Sequence, residues 1–160
     1  MIAGVISDTH GYLDERVLPH FEGVDLILHA GDVGAFEVLT RLGEIAPVFA
    51  VEGNNDAGLD LGIDERLVIN LQGHRVQLVH QLPHAEPGCD VLVHGHSHKL
   101  LSEWRGETLF LNPGAAGRRG FHAVQSIALL RLEAGIPPKA ELIVLGPRLP
   151  SAARPRRSSR

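Results

Sequence analysis

Apolar residues fall along this chain in short runs, and nearly every run is closed by Gly, Pro, Asn or Asp. Val-, Ile- and Leu-rich stretches bounded by turn formers are the pattern of β-strands. They predict strands near Ile2–Ser7, Asp25–His29, Val48–Val51, Leu67–Leu71, Arg75–His80, Val91–His94, Thr108–Leu111, Gln125–Leu132 and Glu141–Leu145. Between the early strands, apolar residues recur at helical spacing over Asp14–Phe21 and Ala35–Ile45. Strands alternating with helices imply a βαβ half with parallel pairing. The turn-like links Gln72–His74 and Trp104–Glu107 suit antiparallel pairing among the later strands. The expected architecture is an α/β sandwich of two packed sheets with helices outside, and no internal repeat is visible.

The residues that follow the strands are more informative than the strands. "VISDTHG", "ILHAGDVG", "AVEGNND", "QLVHQ" and "VLVHGHSH" are each an apolar run ending in side chains able to bind metal. Ligand sites in α/β sheets form at the carboxyl ends of strands, so five strand ends are expected to converge on one pocket. Asp8 and His10 are separated by Thr9, and His96 and His98 by Ser97. In extended backbone, residues two apart point to one side, so each pair is read as a pincer. Asp32, Asn54 and His80 bring the set to two carboxylates, one amide and four imidazoles. Mixed N and O donors suit Mn, Fe, Zn or Ni and argue against a Ca or Mg cage. A single zinc needs only about four ligands. Two divalent ions against two carboxylates leave charge for a bridging hydroxide and an anionic phosphate, and ions about 3.5–4 Å apart bring the pKa of water toward ~7. The pattern predicts a two-metal hydrolase.

Asp8-Thr9-His10, Gly31-Asp32, Gly53-Asn54-Asn55-Asp56, His80 and Gly95-His96-Ser97-His98, in this order, resemble the calcineurin-like metallophosphoesterases, and most closely the small bacterial and archaeal phosphodiesterases of the YfcE type. The resemblance runs from Met1 to about Leu145 and includes "FLNPGAAGRRG". It implies a four-layer α/β/β/α sandwich with two mixed β-sheets. It also implies that Asp8, His10 and His98 hold one ion, that Asn54, His80 and His96 hold the other, and that Asp32 bridges them. Asp32, Asn54 and His96 are the residues it makes catalytic. The implied activity is hydrolysis of a small phosphate ester, foremost a phosphodiester, by a metal-bridging hydroxide, with two divalent transition ions, manganese first, as cofactors.

Departures from the family pattern sharpen the expectation. Asn55 stands where many phosphomonoesterases carry a His that protonates the leaving group, and losing a general acid costs ~10²–10⁴-fold on poor leaving groups. Activated esters or diesters are therefore the expected substrates. The link from His80 to Cys89 is too short for the helix often found there, which predicts a more open pocket. Ala115 takes the place of a Ser that could donate a hydroxyl. Asp56 is expected to orient a ligand or tie its loop rather than touch metal, and Arg118 or Arg119 to pair with a phosphate oxygen. His29 and His94 read as buried structural histidines, His20 and His74 as surface or turn residues, and His84 and His122 as exposed loop positions, either of which could supply the missing acid. Gly31, Gly53, Gly95 and Gly114 are expected to let backbone approach the ions.

Composition narrows the function classes. With 160 residues and 44% hydrophobic content the chain reads as one domain, residues 1–146, followed by a basic tail, residues 147–160, rich in Pro, Ser and Arg and expected to be disordered. The tail holds five of the fifteen basic residues and no acid, which takes the net charge of the body from -4 to -9. An acidic body is a poor general binder of nucleic acid. A tail-tethered nuclease is thus the weaker alternative, beside a protein-binding scaffold such as the retromer subunit that resembles this family. No apolar run approaches the ~20 residues of a membrane span, and the first residues carry no basic leader, so the expected setting is cytoplasmic. The lone cysteine, Cys89, reads as a small half-buried hydrophobe. Homo-oligomerisation is left open.

Overall fold

The computed structural model describes residues 1–151 of the chain. Ten strands follow one another as β1 (Ile2–Ile6), β2 (Leu26–His29), β3 (Val48–Ala50), β4 (Arg66–Leu71), β5 (His74–Val79), β6 (Val91–Val93), β7 (Leu100–Arg105), β8 (Thr108–Pro113), β9 (Val124–Glu133) and β10 (Ile136–Pro147). Two helices, α1 (Leu18–Phe21) and α2 (Phe36–Gly43), lie between the first three strands. One sheet has the order β10-β9-β1-β2-β3 and the other β4-β5-β6-β8-β7. Both are mixed. The trio β1-β2-β3 is parallel, with β9 antiparallel to β1 and β10 antiparallel to β9, and the trio β5-β6-β8 is parallel with β4 and β7 antiparallel at its edges.

Strands covered on both faces read as unbroken apolar runs, and β1 and β2 are of this kind. Val5, Leu28, Ala128 and Leu130 of one sheet meet Val76, Leu78, Val91, Val93, Leu109 and Leu111 of the other in the inter-sheet core. On the outer face of the first sheet, Ile6, Ile27 and Ile127 pack against Val17, Phe21, Val38 and Leu42 of the helical segments. Phe21 lies so close to β1 that a Cβ at Gly4 would stand 2.8 Å from its ring. Before α1, the Asp14 carboxylate accepts the Arg16 N–H at 2.9 Å and caps a short 3-10 turn, Glu15–Val17.

The outer face of the second sheet is covered differently. Val79, Cys89 and Leu92 lie under the segment after β5, whose only regular structure is a 3-10 turn at Leu82–His84. The Gln77 side chain pins this strap by bonding the backbone of Glu86 in both directions, at 2.9 and 2.8 Å. The sandwich therefore has two mixed sheets and outer helices on one side, with a thin strap as its fourth layer.

Three features depart from the strand pattern read in the sequence. β7 was not foreseen, because its last four residues are exposed and the run LLSEWR shows no apolar alternation. Antiparallel pairing of the later strands holds for the three hairpins β4-β5, β7-β8 and β9-β10, but β5, β6 and β8 run parallel. β10 is longer than expected and reaches Pro147. Arg148 then donates to the His122 carbonyl at 2.9 Å, and Leu149 N–H to the Gln125 side chain at 2.8 Å. Residues 152–160 of the basic tail lie outside the described residues. Among the described residues no helix is long and apolar enough to cross a membrane.

Candidate metal centre

Both parallel trios deliver their carboxyl ends to the same edge of the sandwich. β1 leads into Asp8 and His10, β2 into Asp32, β3 into Asn54, β5 into His80, and β6 into His96 and His98. The structure brings all seven together. His98 Nε2 lies 3.1 Å from Asp8 Oδ1, and His10 Nε2 lies 4.0 Å from Asp8 Oδ1 and 3.6 Å from Asp32 Oδ2. His80 Nε2 stands 3.3 Å from Asp32 Oδ2 and 3.8 Å from Asp8 Oδ1. The second group is completed by His96, whose Nδ1 is 3.1 Å from Asn54 Oδ1 and whose ring centre is 5.3 Å from that of His80. Bonds of ~2.0–2.2 Å to a central ion separate neighbouring donor atoms by roughly 3.0–3.5 Å, so these spacings are close to those of a coordination shell.

The carboxylates are buried and oriented by their neighbours. Asp8 Oδ2 accepts the Ser7 hydroxyl at 2.7 Å and the His96 N–H at 3.2 Å, which leaves Oδ1 facing the imidazoles. Asp32 is gripped by Asn55, whose backbone N–H reaches Oδ1 at 2.9 Å and whose side-chain amide reaches Oδ2 at 2.8 Å. Burial pushes the Asp32 carboxyl up, but the adjoining His80 ring and the Asn55 hydrogen bonds outweigh it and hold it well below the usual carboxylate range. Asp56 is fully buried and accepts the N–H groups of Val33, Gly34 and Gly53 at 3.0, 2.9 and 2.8 Å. It ties the Asp32 loop to the Asn54 loop.

His80 supplies the test of whether a cation fits. Its Nδ1 lies 2.7 Å from the Ala30 carbonyl, an acceptor only, so Nδ1 carries the hydrogen. In the neutral ring Nε2 is then a lone pair, buried without a hydrogen-bond partner and aimed at two carboxylates. Negative density facing negative density is stable only with a cation between them or a proton on the ring. An imidazole anchored by a carbonyl at one nitrogen and free at the other is the usual arrangement of a metal-binding histidine, so the donor set fits a bound ion. Burial lowers the His80 pKa, yet the Asp32 and Asp8 carboxylates outweigh it and the net shift is upward.

The pincers arise otherwise than the sequence reading proposed. Asp8, His10, Asp32, His96 and His98 all have φ between 46° and 68°, in the left-handed region. Side chains are aimed at the centre by tight turns and not by extended backbone, and such strain gathers at functional sites. Glycine makes the turns possible where backbones touch. A Cβ on Gly31, at φ 92°, would sit 2.7 Å from His80, and one on Gly53 would overlap Asp32 Oδ1.

A profile of the calcineurin-like phosphoesterase superfamily domain matches residues 1–135. The chain belongs to that superfamily. It is 36% identical over 132 residues to a probable metallophosphoesterase of Methanothermobacter thermautotrophicus, a match covering 72% of this chain and 77% of that protein. It is 33% identical over 140 residues to the phosphodiesterase YfcE of Escherichia coli, covering 68% and 76%. The solved structure of E. coli YfcE superposes with a TM-score of 0.66 at 31% identity, over 82% of this chain and 88% of that one. A single mutant of Vps29 from Entamoeba histolytica superposes at 0.74 with 23% identity, over 90% and 99%, a likeness of fold.

Around this cluster lies an open cleft of about 260 Å³ lined by His10, Asp32, Asn54, Asn55, His96, His98, Arg119 and Gly120. Of the two arginines weighed from the sequence, Arg119 lines it. Arg118 instead stacks its guanidinium 3.6 Å from the Tyr12 ring centre and is not among the residues lining the cleft. His122 is not an outlying loop residue. Its ring centre is 5.1 Å from that of His98, and Nε2 donates to the Gly117 carbonyl at 2.9 Å. With Nδ1 buried and unpaired it presents no proton to the cleft. His84 sits exposed in the strap, and Ala115 is fully buried.

His29 is fully buried. Its Nδ1 accepts the Gly31 N–H at 3.2 Å and Nε2 lies 3.0 Å from the Thr9 hydroxyl, which donates to the Val33 carbonyl at 2.8 Å. Burial pushes its pKa down to about 4, so it stays neutral. Sequence reasoning missed Ser7 and Asn112, which orient Asp8 and the Gly95–Ser97 turn. Their only signal was position, directly before Asp8 and within the Asn-Pro-Gly segment.

Proposed function

We propose that this chain is a dinuclear metal-dependent phosphodiesterase acting on a small phosphate ester. The observation that carries the reading is His80, whose buried Nε2 faces Asp8 and Asp32 with its other nitrogen anchored on Ala30. Asp8, His10 and His98 would hold one ion and Asn54, His80 and His96 the other, with Asp32 between them. When bound, such ions polarise a phosphoryl oxygen and make water nucleophilic near neutral pH. Asn55 fixes the Asp32 carboxylate and has no acidic proton to give, so the leaving group departs unassisted from that position. Arg119 is placed to pair with a non-bridging phosphate oxygen, to which its fork geometry is suited. Manganese is the ion we assign first, and the cytoplasm is the setting that fits an unpaired, buried Cys89.

The test is hydrolysis of bis(4-nitrophenyl) phosphate by protein loaded in turn with Mn, Fe, Zn and Ni. Wild type should turn over with at least one of them, and Asp32→Asn should lose about 10³-fold or more, as removal of charge at a reacting centre does. Wild type and Asp32→Asn equally inert with all four would replace this reading by the scaffold.

A further inference from the structure

Beside the metal cleft, and sharing His96 with it, lies a second depression of about 570 Å³. Leu82, Pro83, Leu100 and Leu101 contribute to its lining, with Lys99 and Arg105. This volume lies within the ~300–1,000 Å³ range of small-molecule sites, and apolar walls with a few polar groups are their usual lining. The depression borders the strap after β5, where a 3-10 turn takes the place of a helix and Leu82 remains 39% exposed. His94, 4% exposed, is also part of the lining, and its Nε2 has no hydrogen-bond partner among the described residues. Arg105 is held by Glu103 at 2.9 Å, whereas Lys99 makes no ion pair among the described residues.

We propose that this depression is the subsite for one ester arm of a phosphodiester, and that the arm is an apolar ring system of aryl or nucleobase size. The inference rests on the phosphodiesterase reading and gives it a substrate class. A phosphate seated against Arg119 and the metal ligands has His96 as its neighbour, and the arm beyond His96 meets Leu82, Leu100 and Leu101. A methyl arm would leave most of the depression filled with water. The free ammonium of Lys99 favours a ring bearing a polar or anionic edge.

The experiment compares diphenyl phosphate with dimethyl phosphate, binding to zinc-loaded protein being followed by calorimetry and by amide shifts. Diphenyl phosphate should bind at least ~10-fold tighter and move the resonances of Leu82, Leu100 and Leu101, since filling an apolar pocket is worth ~10–200-fold. Leu101→Trp should abolish that preference while leaving metal content and dimethyl phosphate affinity unchanged, and Leu82→Trp fills the site instead should the first variant fold poorly. Equal affinities for the two esters, or a preference that survives both variants, would overturn the subsite. A selective subsite in a protein that hydrolyses no diester with any ion would instead overturn the catalytic reading alone.

Discussion

Asn55 and Asp14 each act on a neighbour through hydrogen bonds, and each leads to a measurable consequence. Asn55 donates twice to Asp32, once from its backbone and once from its amide, and neither hydrogen can be released to a leaving group. Turnover should therefore fall steeply as the leaving group becomes more basic, by about 10²-fold or more between nitrophenyl and alkyl esters. A series of aryl and alkyl phosphodiesters read as kcat/KM gives the slope, and a flat series would mean that another acid acts. Asp14 is nearly buried, and Arg16 and Gln125 both donate to it at 2.8 Å. Burial pushes its carboxyl up, but the Arg16 and Gln125 hydrogen bonds outweigh this and leave it below its ordinary 3.8. A carboxylate lowered on folding stabilises the fold above its unfolded pKa, and that contribution is lost as pH falls through the folded value. Asp14→Asn should be less stable than wild type by about 1–2 kcal/mol at pH 7. The gap should close below about pH 3.8, as urea titrations across pH would record.

At the level of elements, the loops after β2 and β3 behave as one unit because Asp56 accepts backbone N–H groups from both. Asp56→Ala leaves two buried donors and one part-buried donor unpaired, at roughly 1–3 kcal/mol for each buried one in the worst case. We expect at least about 2 kcal/mol lost in chemical denaturation, together with weaker ion uptake, since Asp32 and Asn54 lose their common anchor. The strand ends that gather these side chains were legible in the sequence because turn formers alone do not explain two carboxylates and four histidines placed after five apolar runs. Other parts were not legible, for identifiable reasons. β7 is an edge strand whose exposed positions need no apolar alternation. The left-handed turns at Asp8, His10, His96 and His98 are imposed by the packing of one loop on another, which local propensity does not encode. That Arg119 and not Arg118 lines the cleft goes with the stacking of Arg118 over Tyr12, more than a hundred positions away in sequence. His122 reaches His98 for a similar reason, across a turn closed by the Gly117 carbonyl.

For the whole molecule, the consequential fact is that neither sheet owns the centre. Asp8, His10, Asp32 and Asn54 come from the first sheet, and His80, His96 and His98 from the second. Two buried carboxylates and an unpaired imidazole nitrogen at the junction make the ion-free protein electrostatically unbalanced where the sheets meet. Bound ions would relieve this and hold the sheets together, so anything bound only by the folded state should raise stability. The most direct test is the metal content of protein loaded with Mn or Zn and freed of excess ion, measured by mass spectrometry beside its melting temperature. The account predicts about two ions per chain, a melting temperature raised by loading, and a clear fall in both for Asp32→Asn. A protein that retains no transition ion, or one that holds as many with Asn at position 32, would contradict it.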